Sequence, residues 1–133
     1  GRYSLWSAIG LPIACAVDFG GSPISVDDVV DSILALIRGG CRGIYHVAGE
    51  RSYSRSELLD LLLAEAARHG CPCVSPIKRC SIDDFGLPEP RPHDISMRPA
   101  KCIAATGVRP IFVSRWMFVV LMVEGLIGSE NVI

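Results

Sequence analysis

The chain is 133 residues long and carries 13 Lys and Arg against 14 Asp and Glu, for a formal net charge of −1. That length holds one domain and hardly two, and with 20% charged residues of balanced sign there is no basic stripe to neutralise nucleic-acid phosphates. The longest apolar stretch, Trp116 to Val123, is closed by Arg115 and Glu124, far short of the roughly 18 to 20 residues a spanning helix needs, so neither nucleic acid nor a membrane is expected as a partner.

Gly1-Arg2-Tyr3-Ser4 opens the chain without a basic region followed by an apolar core, which leads to an expected cytoplasmic location. Pro12 to Val17 reads as a buried strand running into a turn at Asp18 and Gly20-Gly21. Ser25, three residues before Asp28, then caps a helix in which Val29, Val30, Ile33, Leu34, Leu36 and Ile37 recur at helical spacing until Gly39-Gly40. Gly43 to Ala48 is the clearest predicted strand. Its β-formers lie between glycines and its apolar residues face both ways, as in a parallel sheet covered on both sides.

Ser54 and Glu57 form a second capping box, and the leucines from Leu58 to Leu63 carry a helix to His69-Gly70. Cys73 to Ile77 predicts a short strand that Pro76 confines to an edge or ends early. Pro88, Pro90 and Pro92 remove backbone donors between Asp83 and Asp94 and predict an irregular loop. Arg98 to Thr106, ended by Gly107, and Ser114 to Ile127 predict two last helices. Strands alternating with helices over short connections assign the α/β class, and three short strands make it an incomplete unit. The chain is apolar for its size, as expected if part of its surface meets a partner.

The chemistry-bearing residues are few. Six cysteines without an export signal, in a chain with its own periodic apolar segments, predict free thiols rather than a disulfide framework. His69, Cys71, Cys73 and Cys80 offer ligand atoms in a short span. Cys71-Pro72-Cys73 lacks the two-residue spacing of a zinc knuckle, so no metal is expected. No Gly-x-Ser-x-Gly elbow is present, and His46 falls within a predicted strand as a structural residue. Gly39-Gly40-Cys41-Arg42-Gly43 lies between a helix and a strand, the reverse of a phosphate-binding turn. Asp27 and Asp28 suit a helix N-terminus, while Asp83 and Asp84 read as a solvated loop. Arg91 stands between Pro90 and Pro92, which restrict the backbone; from the residues alone it reads first as a solvated surface arginine, the alternative being a guanidinium presented for bidentate contact with a phosphate.

Taken in order, several segments resemble the C-terminal half of dTDP-4-dehydrorhamnose reductase-like proteins. They are Asp18-Phe19-Gly20-Gly21-Ser22-Pro23-Ile24, the helix with Asp28, Gly43 to Gly49, Ser54 to Leu59, Pro76-Ile77, Arg91-Pro92, and Lys101 before Gly107. That family belongs to the extended short-chain dehydrogenases/reductases, within the NAD-dependent epimerase/dehydratase superfamily. The resemblance implies a partial Rossmann-like unit, with residues 1–133 a single C-terminal substrate-binding fragment whose N-terminal dinucleotide-binding part is absent. Gly43 to Ala48 becomes a late strand of the Rossmann sheet, and the strands near Val17 and Val74 belong to the smaller lobe that closes over a nucleotide-sugar.

The same resemblance implies that Arg91, in an Arg-x-x-Asp setting with Asp94, grips the diphosphate and that Ser22 and Pro23 help line the pocket. A second phosphate-binding arginine of related epimerases falls near Gly21, and its absence leans toward the reductases, which transfer a hydride to a 4-keto sugar. Cofactor glycines and a catalytic Tyr-x-x-x-Lys lie in the family's N-terminal half, and none of Tyr3, Tyr45 and Tyr53 has Lys four residues later. No catalytic, cofactor-binding or metal residue is therefore expected here. NAD(P) belongs to the complete protein and is not expected on this chain alone. The expected partners are a nucleotide-sugar and an N-terminal Rossmann part or partner chain covering the apolar face. The alternative is a non-catalytic protein-interaction or regulatory module derived from the same family.

Overall fold

The computed structural model describes residues 12–70, 72–113 and 115. Its elements in chain order are β1 (Ile13–Ala16), β2 (Gly20–Gly21), α1 (Val26–Arg38), β3 (Tyr53–Ser54), α2 (Arg55–Arg68), β4 (Ile77–Cys80), a 3-10 turn (Ile82–Phe85) and α3 (Ala100–Thr106). The α/β class holds, with two small sheets rather than one. β1 runs parallel to β4, Ile13 opposite Ile77 and Ala16 opposite Cys80, whereas β2 pairs antiparallel with β3. Ile13 and Cys15 point from β1 onto Leu59 of α2, with Leu63, Cys73 and Ile77 packed around them. Tyr53 and Val113, flanked by Leu58, Leu61 and Leu62, form a second cluster.

Both long helices start where their caps direct. The Ser25 hydroxyl accepts the Asp28 amide at 3.1 Å, and at α2 the Ser54 hydroxyl accepts the Glu57 amide while Glu57 returns a bond to the Ser54 amide. α1 is amphipathic, yet much of its apolar face is open: Val26 is 77% and Ile37 69% exposed, with Val30, Ile33 and Leu34 also accessible.

Four predicted elements differ in whole or in part. Gly43 to Ala48 forms no strand, because a β-conformer becomes a strand only with a neighbour to accept its ladder, and none lies beside it among the described residues. Ile44 is 80% exposed. The segment is held instead by Lys101, whose Nζ donates to the Ile44 carbonyl at 2.8 Å and sits 4.3 Å from the Tyr45 ring centroid. The strand expected over Cys73 to Ile77 begins at its last residue. Pro76 has no N–H to give a ladder, but its carbonyl accepts the Ile13 amide at 2.9 Å and so opens the β1–β4 pairing.

Within the proline-containing stretch, Ser81 and Asp84 cap the 3-10 turn reciprocally, and Gly86 ends it at φ +58°. Asp84 is thus a cap rather than a merely solvated carboxylate. The helix expected from Arg98 starts at Ala100, Pro99 occupying its cap position. The helix expected over Ser114 to Ile127 lies, apart from Arg115, outside the described residues. Cys15, Cys41, Cys73, Cys80 and Cys102 are free thiols, and Cys71 lies outside the described residues. Among the described residues no helix is long and apolar enough to cross a membrane, and no group of three or more His, Cys, Asp or Glu is placed to hold a metal ion.

Candidate functional site

Gly20-Gly21 is the hub of the candidate site. On one side it pairs with Tyr53-Ser54 at the start of α2. On the other, the Gly20 amide donates to the His93 carbonyl at 2.8 Å, and the Gly20 carbonyl accepts the Ile95 amide at 3.0 Å. A Cβ on Gly20 would meet only ordinary contacts, 3.5 Å from the Tyr53 carbonyl oxygen and 3.8 Å from Asp94 Oδ1, so it is the backbone bonding on both flanks that makes this residue the hub. The proline loop is thereby tied to the same short strand that receives α2.

Side chains tighten that loop. Asp18, just past β1, accepts the Ser81 hydroxyl at 2.5 Å and the Ile82 amide at 2.7 Å. The His93 ring spans two carboxylates, with Nδ1 3.4 Å from Asp18 and Nε2 3.3 Å from Asp83. Asp94 accepts the Ser96 amide at 2.8 Å, an Asx-type turn. Asp94 thus shapes the turn that follows Arg91, while the backbone of His93 and Ile95 fastens the loop to Gly20.

These anchors enclose a cleft of about 290 Å³. Cys15 of β1, Phe19, Arg55 of α2, Phe85 of the 3-10 turn, and Leu87 and Arg91 of the loop all line it. Burial pushes the Cys15 thiol up, opposed by the Arg79 and Arg55 charges, so Cys15 is a wall rather than a nucleophile. Arg91 makes no hydrogen bond or ion pair among the described residues. Ser22 and Pro23 are not in this cleft. The Ser22 hydroxyl donates to the Met97 carbonyl and accepts the Met97 amide, each at 3.1 Å, while Pro23 lines a smaller recess with Gly49, Tyr53 and Ile111. Sequence reasoning passed over Arg55, Phe19 and Phe85. Only the position of Arg55 directly after a capping-box serine was a readable signal.

The Ser81 hydroxyl and then the Ile82 amide hold the Asp18 carboxyl below its ordinary value, and Ser96, whose amide donates to Asp94, does the same for the Asp94 carboxyl. A depressed folded pKa means the stabilisation is complete above the unfolded value of about 4 and is lost as pH falls through the folded value. The loop carrying Arg91 is accordingly expected to loosen below about pH 4, seen as lost exchange protection of the Ile82 and Ser96 amides. Protection unchanged down to about pH 2 would refute the two carboxylates as its anchors.

No family model matches the chain, and no curated protein matches it in sequence. Solved structures do. A dTDP-4-dehydrorhamnose reductase from Bacillus anthracis in complex with NADP aligns with a TM-score of 0.72 at 20% identity, over 92% of this chain and 42% of the other. A dTDP-4-dehydrorhamnose reductase ortholog from Clostridium acetobutylicum aligns with a TM-score of 0.73 at 15% identity, over 91% and 42%. RMD from Pseudomonas aeruginosa, complexed with NADPH, aligns at 0.62 and 21% identity, over 84% and 35%. At these identities the likeness establishes a partial, Rossmann-like α/β fold of the reductase kind. The chain spans less than half the length of each of these structures.

Proposed function

We propose that these residues form the substrate-binding portion of an NAD(P)-dependent nucleotide-sugar oxidoreductase, most like dTDP-4-dehydrorhamnose reductase, which reduces a 4-keto sugar in the cytoplasm. The observation that carries this reading is the Arg91 guanidinium, without a partner among the described residues, on a loop stapled beside a cleft. A guanidinium so placed offers two parallel N–H donors to a phosphate, the geometry that makes arginine the common diphosphate ligand.

The described residues do not suit the dinucleotide itself. The Gly39 amide donates to the Ala35 carbonyl at 2.9 Å, so the one dense glycine cluster closes a helix instead of opening one onto a pyrophosphate. No hydride step is therefore derived from this chain. In the proposed protein a nucleotide-binding part supplies the cofactor and the proton donor, and it covers the open face of α1 and Ile44.

The test is calorimetric titration of dTDP into the full-length protein. Arg91→Ala is expected to weaken binding about 10- to 100-fold, or about 1.4–2.8 kcal/mol. Unchanged affinity would remove Arg91 from the site. The exposed Val26, Ile37 and Ile44 support a second reading, a non-catalytic interaction or regulatory module in which a partner chain takes that face. A full-length protein that binds neither dTDP nor NAD(P)H would favour it.

A further inference from the structure

We infer that Arg55 is a second anion-holding residue of the Arg91 cleft, so that the cleft is built for a diphosphate rather than a single phosphate; as to the identity of the natural ligand, this rests on the function proposed above. The two arginines are far apart in sequence but are held to one dipeptide. Ser54 pairs with Gly20 from one side, and the loop that follows Arg91 pairs with Gly20 from the other. Their backbones are thereby fixed relative to each other before any ligand arrives.

The Arg55 side chain is oriented as well. Its amide donates to the Phe19 carbonyl at 2.9 Å, and its guanidinium carbon lies 5.1 Å from the Phe19 ring centroid. Stacking on a ring leaves the edge of the guanidinium and its N–H groups free to donate. Among the described residues that guanidinium has no hydrogen bond or ion pair.

Among the described residues no carboxylate lines the cleft. The nearby acids are engaged elsewhere: Asp60 with Arg79 at 2.7 Å, Asp18 with Ser81 and Ile82, and Asp83 with His93. Two like charges facing one concavity without a counter-charge repel each other until an anion enters. A diphosphate can place one phosphate on each guanidinium. Buried Cys15 forms the floor of the cleft on the β1 side, and the exposed Phe85 ring stands at its rim.

The test measures binding of inorganic pyrophosphate, dTDP and thymidine to the full-length protein, its Arg55→Gln and Arg91→Ala variants, and the double variant. Arg55→Gln is expected to weaken pyrophosphate and dTDP about tenfold, leave thymidine unchanged, and flatten the salt dependence of binding. Arg55→Lys, which keeps the charge but not the fork, is expected to recover part of that loss. Circular dichroism of the Arg55 variants guards against a folding defect. If Arg91→Ala weakens dTDP but Arg55→Gln does not, the inference falls and the proposed function stands. If both variants weaken pyrophosphate while dTDP binds no better than pyrophosphate, the inference stands and the nucleotide-sugar reading falls. No binding of either anion overturns both.

Discussion

Asp28→Ala is expected to lower the stability of the chain by about 2–4 kcal/mol, from the loss of charge-assisted hydrogen bonds and of a carboxylate at a helix N-terminus. Asp28 is 6% exposed, and one of its oxygens, Oδ2, accepts both the Ser25 hydroxyl at 2.8 Å and the Ile111 amide at 2.9 Å. The first bond closes the start of α1; the second fastens the chain after α3 to that same point. Truncation leaves the Ile111 amide without its acceptor and the Ser25 hydroxyl without its partner, so the cost exceeds that of an ordinary cap. Asp28→Asn retains an acceptor and is expected to lose about half as much. Equilibrium urea unfolding of the three proteins decides it. An alanine variant within about 0.5 kcal/mol of the parent would show that the Ile111 contact contributes nothing.

Gly49→Ala carries the second large expected effect. The Gly49 amide donates to the Ser22 carbonyl at 3.2 Å, and a Cβ built at this buried position overlaps the Pro23 carbonyl oxygen. The obstruction is backbone against backbone, so no rotamer change relieves it, and either the Ser22-Pro23 turn or the 43–49 segment must move. Such overpacking costs about 1–3 kcal/mol, expected as a fall in thermal midpoint of about 5–15 °C. Displacing that turn also disturbs the Ser22–Met97 bonds that brace the Arg91 loop. Loss of dTDP affinity is therefore expected alongside the loss of stability. A midpoint within about one degree of the parent would mean that the approach at Gly49 is looser than described.

Fold class and the two long helices were legible because their determinants are local. A capping bond joins residues three apart, as between Ser25 and Asp28 or Ser54 and Glu57, and helical periodicity repeats every few residues. The irregular proline loop was legible for the same reason, although the short capped turn at Ile82–Phe85 inside it was not. Arg91 stood out as a residue, but its cleft did not. That cleft exists because Gly20 draws Ser54-Arg55 and His93-Asp94 together from opposite sides, and no single segment encodes that meeting.

The fate of Gly43 to Ala48 shows the limit most directly. Its residues favour an extended chain, and the sequence alone determined that preference. Whether an extended chain becomes a strand is decided by a neighbour that can exchange hydrogen bonds with it, and only the tertiary structure reveals that none of the described residues does so. The parallel pairing of β1 with β4 and the pairing of Arg55 with Arg91 across one cleft were likewise settled by tertiary contacts. Local propensities set what each segment is able to form, and contacts between segments distant in the chain select which of those forms is realised.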